Sequence, residues 1–196
     1  MQSRTGNPNL GWEKRKESNA GIDLMMANSR LEVELNYYNH LRTDMIQSMN
    51  RLPYVAGISS WRPAVNYNQM QYTGIEAAVT WKKTKGDFKY ALTGRATLPK
   101  AIWKKYDEPD YRYDYQKRNG TDAGAIYGQT YLGRFANDAD ALLVPQLFDE
   151  VLHAGDLKYK DMNNDGVVDD NDQSIIGNSS PRLLYVIDTR FNFKRF

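Results

Sequence analysis

The chain has 196 residues, which is room for one or two ordinary domains, and it is polar for its size, with 41% hydrophobic residues and a mean hydropathy of −0.72. Aromatic residues nevertheless reach 12%, including 14 Tyr and 4 Trp. No apolar run approaches the roughly 20 residues of a membrane-spanning helix, which excludes an α-helical membrane protein but not a β-barrel. The formal net charge of +2 does not indicate a nucleic-acid partner, and the absence of cysteine excludes thiol catalysis and disulfides.

Alternation of apolar and polar side chains predicts two strands near residues 19–26 and 31–38, joined by a tight turn at Asn28-Ser29. Two more are predicted near 72–81 and 88–98, joined by a turn at Lys82–Asp87 around Gly86. The lysines of this second turn are expected to be solvated.

A fifth strand is predicted near 185–193. A soluble sandwich would bury the apolar faces of such strands and expose the charged ones. An outer-membrane barrel would instead turn the apolar faces to lipid and the charged faces to a wet lumen. Alternation alone leaves both interpretations open.

The connections between these strands have unequal lengths. Two are tight, at 27–30 and 82–87, whereas about 39–70 and 99–182 are long and rich in Pro, Gly, Asn and Tyr. Short turns on one side and long loops on the other are typical of outer-membrane barrels. One short helix is predicted within the last loop at Ala136–Phe148, capped by Asn137 and stopped near Pro145.

The strongest local motif, D-M-N-N-D-G-V-V-D-D-N-D from Asp161 to Asp172, has the spacing of an EF-hand calcium loop, with Gly166 at its sharp turn. Asp172 is one methylene shorter than the usual glutamate. The alternative is a turn-rich loop whose Asp and Asn side chains cap their own backbone. The predicted oxygen donors for a structural calcium ion are Asp161, Asn163, Asp165, the Val167 carbonyl, Asp169 and Asp172.

Other polar and aromatic residues give weaker signals. The loop tyrosines Tyr106, Tyr111, Tyr113 and Tyr115 are compatible with sugar stacking, with a membrane-interface girdle, or with an ordinary Tyr-rich loop. His40 and His153 are isolated from each other and from any evident nucleophile. The sequence contains no P-loop, dinucleotide fingerprint or nucleophile elbow, so no enzymatic activity is predicted.

Several motifs, in chain order, resemble the late barrel strands of SusC/RagA-type TonB-linked outer-membrane receptors of Bacteroidetes. The segment Gly155–Asn178 is the most specific of them. The others are Asn7-Pro8-Asn9-Leu10, Trp12-Glu13-Lys14, Asn19–Leu24, Leu35–Asn39, Thr73–Glu76 and Gly86-Asp87-Phe88 with Tyr90.

The resemblance implies an all-β fold: an antiparallel β-meander that forms part of a transmembrane β-barrel with long extracellular loops, in the cell outer membrane. It implies import of oligosaccharides or peptides, powered by TonB, together with a SusD-like surface lipoprotein. A barrel of roughly 22 strands exceeds 196 residues, so residues 1–196 are expected to be a fragment without the plug and TonB box. The competing hypothesis is a soluble, calcium-stabilised β-sandwich that binds carbohydrate.

Overall fold

The computed structural model describes residues 6–51, 62–143, 146–147 and 151–194. Its main feature is a five-stranded antiparallel sheet in the order β1-β2-β3-β4-β11. The strands are β1 (Lys14–Met26), β2 (Leu31–Ser48), β3 (Ala64–Lys85), β4 (Phe88–Lys105) and β11 (Leu184–Phe193). The predicted meander is thus present, and the fifth strand pairs with β4 after the long excursion.

Four strands are longer than the alternation predicted. β2 continues to Ser48 rather than ending near 38, and β3 begins at Ala64 rather than near 72. β1 begins at Lys14 and β4 ends at Lys105. The added residues are largely polar on both faces, so apolar alternation could not identify them, although backbone pairing continues.

The two tight turns lie at one end of the sheet, called here the turn end. The β1–β2 turn spans residues 27–30, as predicted, and its Ala27, Asn28 and Ser29 all have positive φ. The β3–β4 turn is shorter than predicted, because β3 runs to Lys85 and leaves only Gly86 and Asp87 between the strands. Gly86 has φ +60°, which fits the first central position of a type II′ hairpin turn.

The other end of the sheet, the loop end, carries residues 49–51 and 62–63 and the described residues of the loop region 106–183. The loop region contains short strands of its own, so it is not the structureless link that its composition allowed. β5 pairs with β10, β6 with β8, and β7 with β9. The strands are β5 (Ala125–Gln129), β6 (Tyr131–Arg134), β7 (Gln146–Leu147), β8 (Leu157–Tyr159), β9 (Val167–Val168) and β10 (Gln173–Asn178).

The predicted helix is present but short. Helix α1 spans Asp138–Leu142, and the side chain of Asn137 accepts a hydrogen bond from the Asp140 backbone N–H at 2.7 Å, so the predicted cap is confirmed. The predicted span of Ala136–Phe148 is too long, because Gln146 and Leu147 already form β7. Pro145 and Phe148 lie outside the described residues.

Buried apolar side chains are few. In the part of the chain that the structure describes, the cluster of buried apolar residues is Phe135, Ala141 and Leu152, all in the loop region. Within that same part, no helix has the length and hydrophobicity needed to cross a lipid bilayer.

Candidate functional site

One face of the sheet, the apolar face, carries most of its large apolar side chains. The cross-strand register aligns Ile22 with Leu35 and Val33 with Val79 on this face. It also places Ile187 opposite Gly94. These residues do not form a protein core, since Ile22 is 59% exposed, Ile187 70% and Phe191 64%. The main contacts of each sheet strand are with its neighbours in the sheet, so the packed second layer of a β-sandwich is not what covers this face.

The apolar face has the height of a membrane. On β4 it extends from Phe88 to Leu98, which is about 33 Å along the strand and about 25 Å along the membrane normal at a tilt of about 40°. An apolar band about 25 Å tall is the lipid-facing surface of an outer-membrane barrel. At the turn end this band ends with a cluster of aromatic side chains. The ring centroid of Phe88 lies 6.0 Å from those of both Tyr90 and Phe191. Such girdles mark a membrane interface.

The opposite face, the polar face, is lined with paired charges and hydroxyls. Lys82 Nζ lies 2.5 Å from Glu32 Oε1, and Arg95 forms an ion pair with Asp188. The hydroxyls of Thr80 and Thr93 are 2.9 Å apart. This composition is that of a solvated lumen wall rather than a core.

A cavity of about 440 Å³, the loop-end cavity, lies on the polar face where the chain returns from the loop region to β11. The sheet contributes one wall and residues 178–182 contribute the other. Four basic residues and one acidic residue, Asp122, are among those that line it. The sheet residues are Arg15, Tyr38, His40, Arg42, Tyr72, Pro99, Lys100 and Ala101, and the loop residues are Asp122, Asn178, Ser180, Pro181 and Arg182.

Hydrogen bonds fix two arginines of this cavity. Arg42 forms an ion pair with Glu13, whose other carboxylate oxygen accepts the Ile46 N–H at 3.0 Å. Arg15 forms an ion pair with Glu17 and donates to His40 Nδ1 at 2.8 Å. Because a guanidinium can only donate, Nδ1 is the acceptor, and the neutral imidazole carries its proton on Nε2, 3.2 Å from Asn19 Oδ1.

A buried carboxylate fastens the loop end to the sheet. Asp107, which has no exposed surface, accepts hydrogen bonds from the Asn50 backbone N–H and from Arg51 Nε, both at 2.5 Å. The Asp107 N–H in turn donates to Asn68 Oδ1 at 2.8 Å. This network joins the ends of β2 and β4 to β3 and so holds the mouth of the loop region.

The acidic segment 161–172 folds as a tight loop whose side chains accept backbone hydrogen bonds. Asp161 accepts the N–H groups of Asn164 at 2.6 Å and Gly166 at 2.9 Å. Asp172 is fully buried and accepts the N–H groups of Met162 and Asp169, both at 2.8 Å. These are the backbone caps expected of the turn-rich alternative.

The remaining predicted donors also lie within this loop. Asn163 and Asp165 cap neighbouring backbone N–H groups, and the Asp169 side chain accepts from Asn171. Across the described residues, no three His, Asp or Glu side chains are grouped so as to hold a metal ion. The other two predicted donors, the Asn163 side chain and the Val167 carbonyl, are not residues of these three types. The calcium site therefore stays a prediction.

Tyr115 joins the acidic loop to the start of the loop region. Its hydroxyl donates to the Asn171 carbonyl at 2.7 Å. Burial raises the pKa of Tyr115, and the carboxylates of Asp172, Asp161 and Asp165 raise it further. The carboxylates of the loop therefore make the electrostatic potential at this hydroxyl negative.

The other loop tyrosines are mostly engaged in packing. Tyr113 stacks on Tyr115 with ring centroids 5.3 Å apart, and Tyr106 meets Trp103 edge-on at 4.7 Å. Tyr111 lines an open polar cleft of about 540 Å³ beside Arg112. The ordinary interpretation of a Tyr-rich loop fits three of the four residues.

The two histidines lie in different parts of the structure and do not form a common site. His153 Nδ1 lies 3.8 Å from Asp138 on the exposed surface of the loop region, whereas His40 belongs to the loop-end cavity. Sequence reasoning missed the contact between His40 and Arg15. If the alternation of β1 and β2 is extended toward Lys14 and Ser48, Arg15 and His40 both lie on the polar face. That extension would have predicted that the two side chains are close.

These features define a class of protein: the sheet is a sector of a transmembrane β-barrel, apolar toward lipid and charged toward a lumen. The family model described as "TonB dependent receptor-like, beta-barrel" matches residues 1–188. The chain belongs to that family.

Similar proteins agree with this assignment. TonB-dependent receptors P39 and P3 of Formosa agariphila are 23% and 24% identical to the chain; each match covers 97% of the chain, but only 22% and 20% of the respective receptor. The chain thus spans about a fifth of these relatives.

Two solved structures have the same fold. One is the RagAB peptide transporter, with a TM-score of 0.67 and 17% identity over 97% of the chain and 21% of the transporter chain. The other is the RagAB peptide importer in its closed-closed state, with a TM-score of 0.69 and 17% identity over 98% and 21%. The resemblance to SusC/RagA-type receptors is confirmed, and with it the partial antiparallel barrel, which is not closed within this chain.

Proposed function

We propose that this chain forms part of the wall of an outer-membrane TonB-dependent transporter that imports oligosaccharides or peptides and has no enzymatic activity. The observation that carries the proposal is the apolar face, which has the height of a membrane and over which the described residues form no second layer. A soluble carbohydrate-binding sandwich would have to cover the same residues with a second sheet.

The proposed orientation follows from the unequal ends of the sheet. Outer-membrane barrels have short periplasmic turns and long extracellular loops. The turn end is therefore assigned to the periplasm, and the loop end, with residues 106–183, to the outside of the cell. The remaining barrel strands, the plug and the contact with TonB would come from other parts of a receptor about five times as long, as in the relatives.

The proposed partner at the loop end is a SusD-like surface lipoprotein. The loop region presents apolar side chains that nothing in the described chain covers, with Leu142 68% exposed, Leu143 85% and Val151 65%. Contiguous exposed apolar residues on a polar loop, such as the neighbouring Leu142 and Leu143, are typical of an interaction surface. The two similar solved structures are named as a peptide transporter and a peptide importer, which supports the transport function in which a partner of this kind is proposed.

Membrane insertion and TonB dependence test the transport function. In cells that make the receptor, we expect the chain in the outer-membrane fraction, and we expect protease added outside intact cells to cleave within 106–183 but not at 27–30. Deletion of TonB should abolish uptake of the nutrient that induces the receptor. Recovery of the chain as a folded soluble monomer without detergent would contradict the proposal.

We further propose that residues 161–172 bind calcium, which would order the end of the extracellular loop. Support comes from the oxygen-donor spacing and from the negative field that the loop carboxylates exert on Tyr115. When bound, the ion would supply the positive charge that these carboxylates lack. Extracellular modules bind calcium at about 10⁻⁴–10⁻³ M, which suits a loop of this kind.

Terbium luminescence tests calcium binding, because terbium occupies calcium sites and is excited through nearby tyrosine. We expect Tyr115 to sensitise bound terbium and millimolar calcium to displace it. The double variant Asp161→Ala/Asp165→Ala should lose the signal, whereas Asp114→Asn, an exposed carboxylate outside the loop, should keep it. Equal signals from the double variant and the unaltered receptor would refute the site.

A further inference from the structure

We propose that the loop-end cavity binds an anionic group, a carboxylate or a sulfate, carried by the imported oligomer. This rests on the proposed transport function and deepens it, because it makes acidic peptides or acidic glycans the substrate class. The cavity lies on the polar face at the loop end, where a substrate arriving from outside the cell would first meet the lumen wall.

Of the three arginines that line the cavity, Arg42 is ion-paired with Glu13 and Arg15 with Glu17, so the uncompensated arginine charge comes from Arg182. Among the described residues no carboxylate lies within ion-pair distance of Arg182, and this exposed side chain stands on the loop wall, facing the arginines of the sheet wall. The one acidic lining residue, Asp122, already accepts the Gly124 N–H at 2.9 Å. A guanidinium offers paired N–H donors that match the two oxygens of a carboxylate or sulfate.

The sheet wall is arranged in advance for the same ligand. Glu13 engages one nitrogen of Arg42, whereas His40 and Glu17 each engage one nitrogen of Arg15, so both side chains are held in place. Each guanidinium has five N–H donors, so several remain for a ligand. Glu13 offsets the charge of Arg42 and Glu17 that of Arg15, which leaves the cavity suited to a single anionic group rather than to a dense polyanion.

Flat side chains complete the cavity. Tyr38 and Tyr72 line its sheet wall and Pro181 its loop wall. The Tyr38 ring lies so close to Gly74 on β3 that a Cβ added there would overlap its hydroxyl and ring carbons. The absence of a side chain at Gly74 therefore lets Tyr38 lie against the wall and present a surface on which a sugar ring or a peptide plane can stack.

Paired probes that differ only in charge test the inference. The receptor that carries this chain is purified in detergent, and binding is measured by calorimetry. A pentaglutamine with one central glutamate is compared with pentaglutamine, and a galactotriose with one unit oxidised to galacturonate is compared with galactotriose. We expect the acidic member of at least one pair to bind at least tenfold more tightly than its neutral partner. The responding pair identifies the carrier as a peptide or a glycan.

Variants locate the effect in the cavity. Arg182→Gln should weaken acidic-probe binding by about tenfold to a hundredfold, and Arg182→Lys should restore part of it. The matched control is Arg190→Gln, on the same face but roughly 25 Å farther along the strand, beside a separate cavity. This variant should leave binding unchanged.

Three results would each overturn the inference. Neutral probes could bind as well as acidic ones, acidic probes could fail to bind at millimolar concentration, or the Arg182→Gln variant could keep full affinity. A receptor that still fractionates with the outer membrane and needs TonB would then show that only the substrate class is wrong.

Discussion

The five-stranded sheet and the loop region 106–183 are stabilised in opposite ways. The sheet exposes its apolar side chains and holds together through long antiparallel ladders, so its environment must supply the apolar contacts. The loop region relies on its own contacts: a small cluster of Phe135, Ala141 and Leu152, and buried carboxylates such as Asp172. Damage to the sheet should therefore appear as failed membrane assembly, whereas damage to the loop should stay local.

The largest expected effect is a charge on the lipid side of the sheet. Ile187 lies at the middle of the apolar band, opposite Gly94, and Ile187→Arg should destabilise the membrane-inserted receptor by about 2–4 kcal/mol. The measurement is the urea midpoint in lipid vesicles, with the level in the outer membrane as a second readout. Asp188→Asn, one residue along on the polar face, is the control. An equal loss from both variants would show that the faces have been misassigned.

A smaller and local effect is expected from the acidic loop. Asp172→Ala leaves backbone N–H groups of Met162 and Asp169 without their acceptor, which should lower the free energy of local opening by about 1–3 kcal/mol. Hydrogen exchange should show faster exchange at residues 161–172 and none of this change in β1 to β4. Asp170→Ala, at an exposed neighbour, should have little effect. If hydrogen-exchange protection were also lost across the sheet, the two regions would not be stabilised independently.

The smallest expected effect is a pH dependence confined to the loop region. Because the folded pKa of Tyr115 is raised, its contribution to loop stability is complete below the unfolded pKa of about 10 and is lost as the pH rises through the folded value. Ionisation also removes the hydrogen bond to the Asn171 carbonyl. The protection factors of the loop amides, which compare the intrinsic exchange rate with the observed rate at the same pH, should fall above about pH 10, and Tyr115→Phe should remove most of this fall. An identical alkaline response in the variant would place the titrating group elsewhere.

The sequence allowed the sheet to be predicted better than the loop region, and the reason is physical. Lipid on one side imposes strict alternation, so strands near 31–38 and 88–98 were recognisable. The same strands continue to Ser48 and Lys105, beyond the apolar band, where polar residues stand on both faces and apolar alternation is lost. Pairing of β5 with β10 joins residues nearly fifty positions apart and has no local signature.

The site was predicted only in outline. The acidic motif was found, but Asp172, assigned from spacing as a calcium donor, also serves as a buried acceptor for three backbone N–H groups. Asp107 and Arg182 were not identified, because a lone aspartate or arginine in a polar loop has no periodicity or spacing that distinguishes it. Their roles depend on distant partners such as Asn50 and Asn68 for Asp107.

The outer strands of the sheet have a consequence for biogenesis. Within the described chain, β1 pairs only with β2 and β11 only with β4, so each presents one edge of unsatisfied N–H and C=O groups. In hydrocarbon such an edge costs several kcal/mol for each group, and in water it invites aggregation. This sector should therefore be unable to insert by itself. Until the barrel closes, we expect each edge to need either a neighbouring strand or a chaperone.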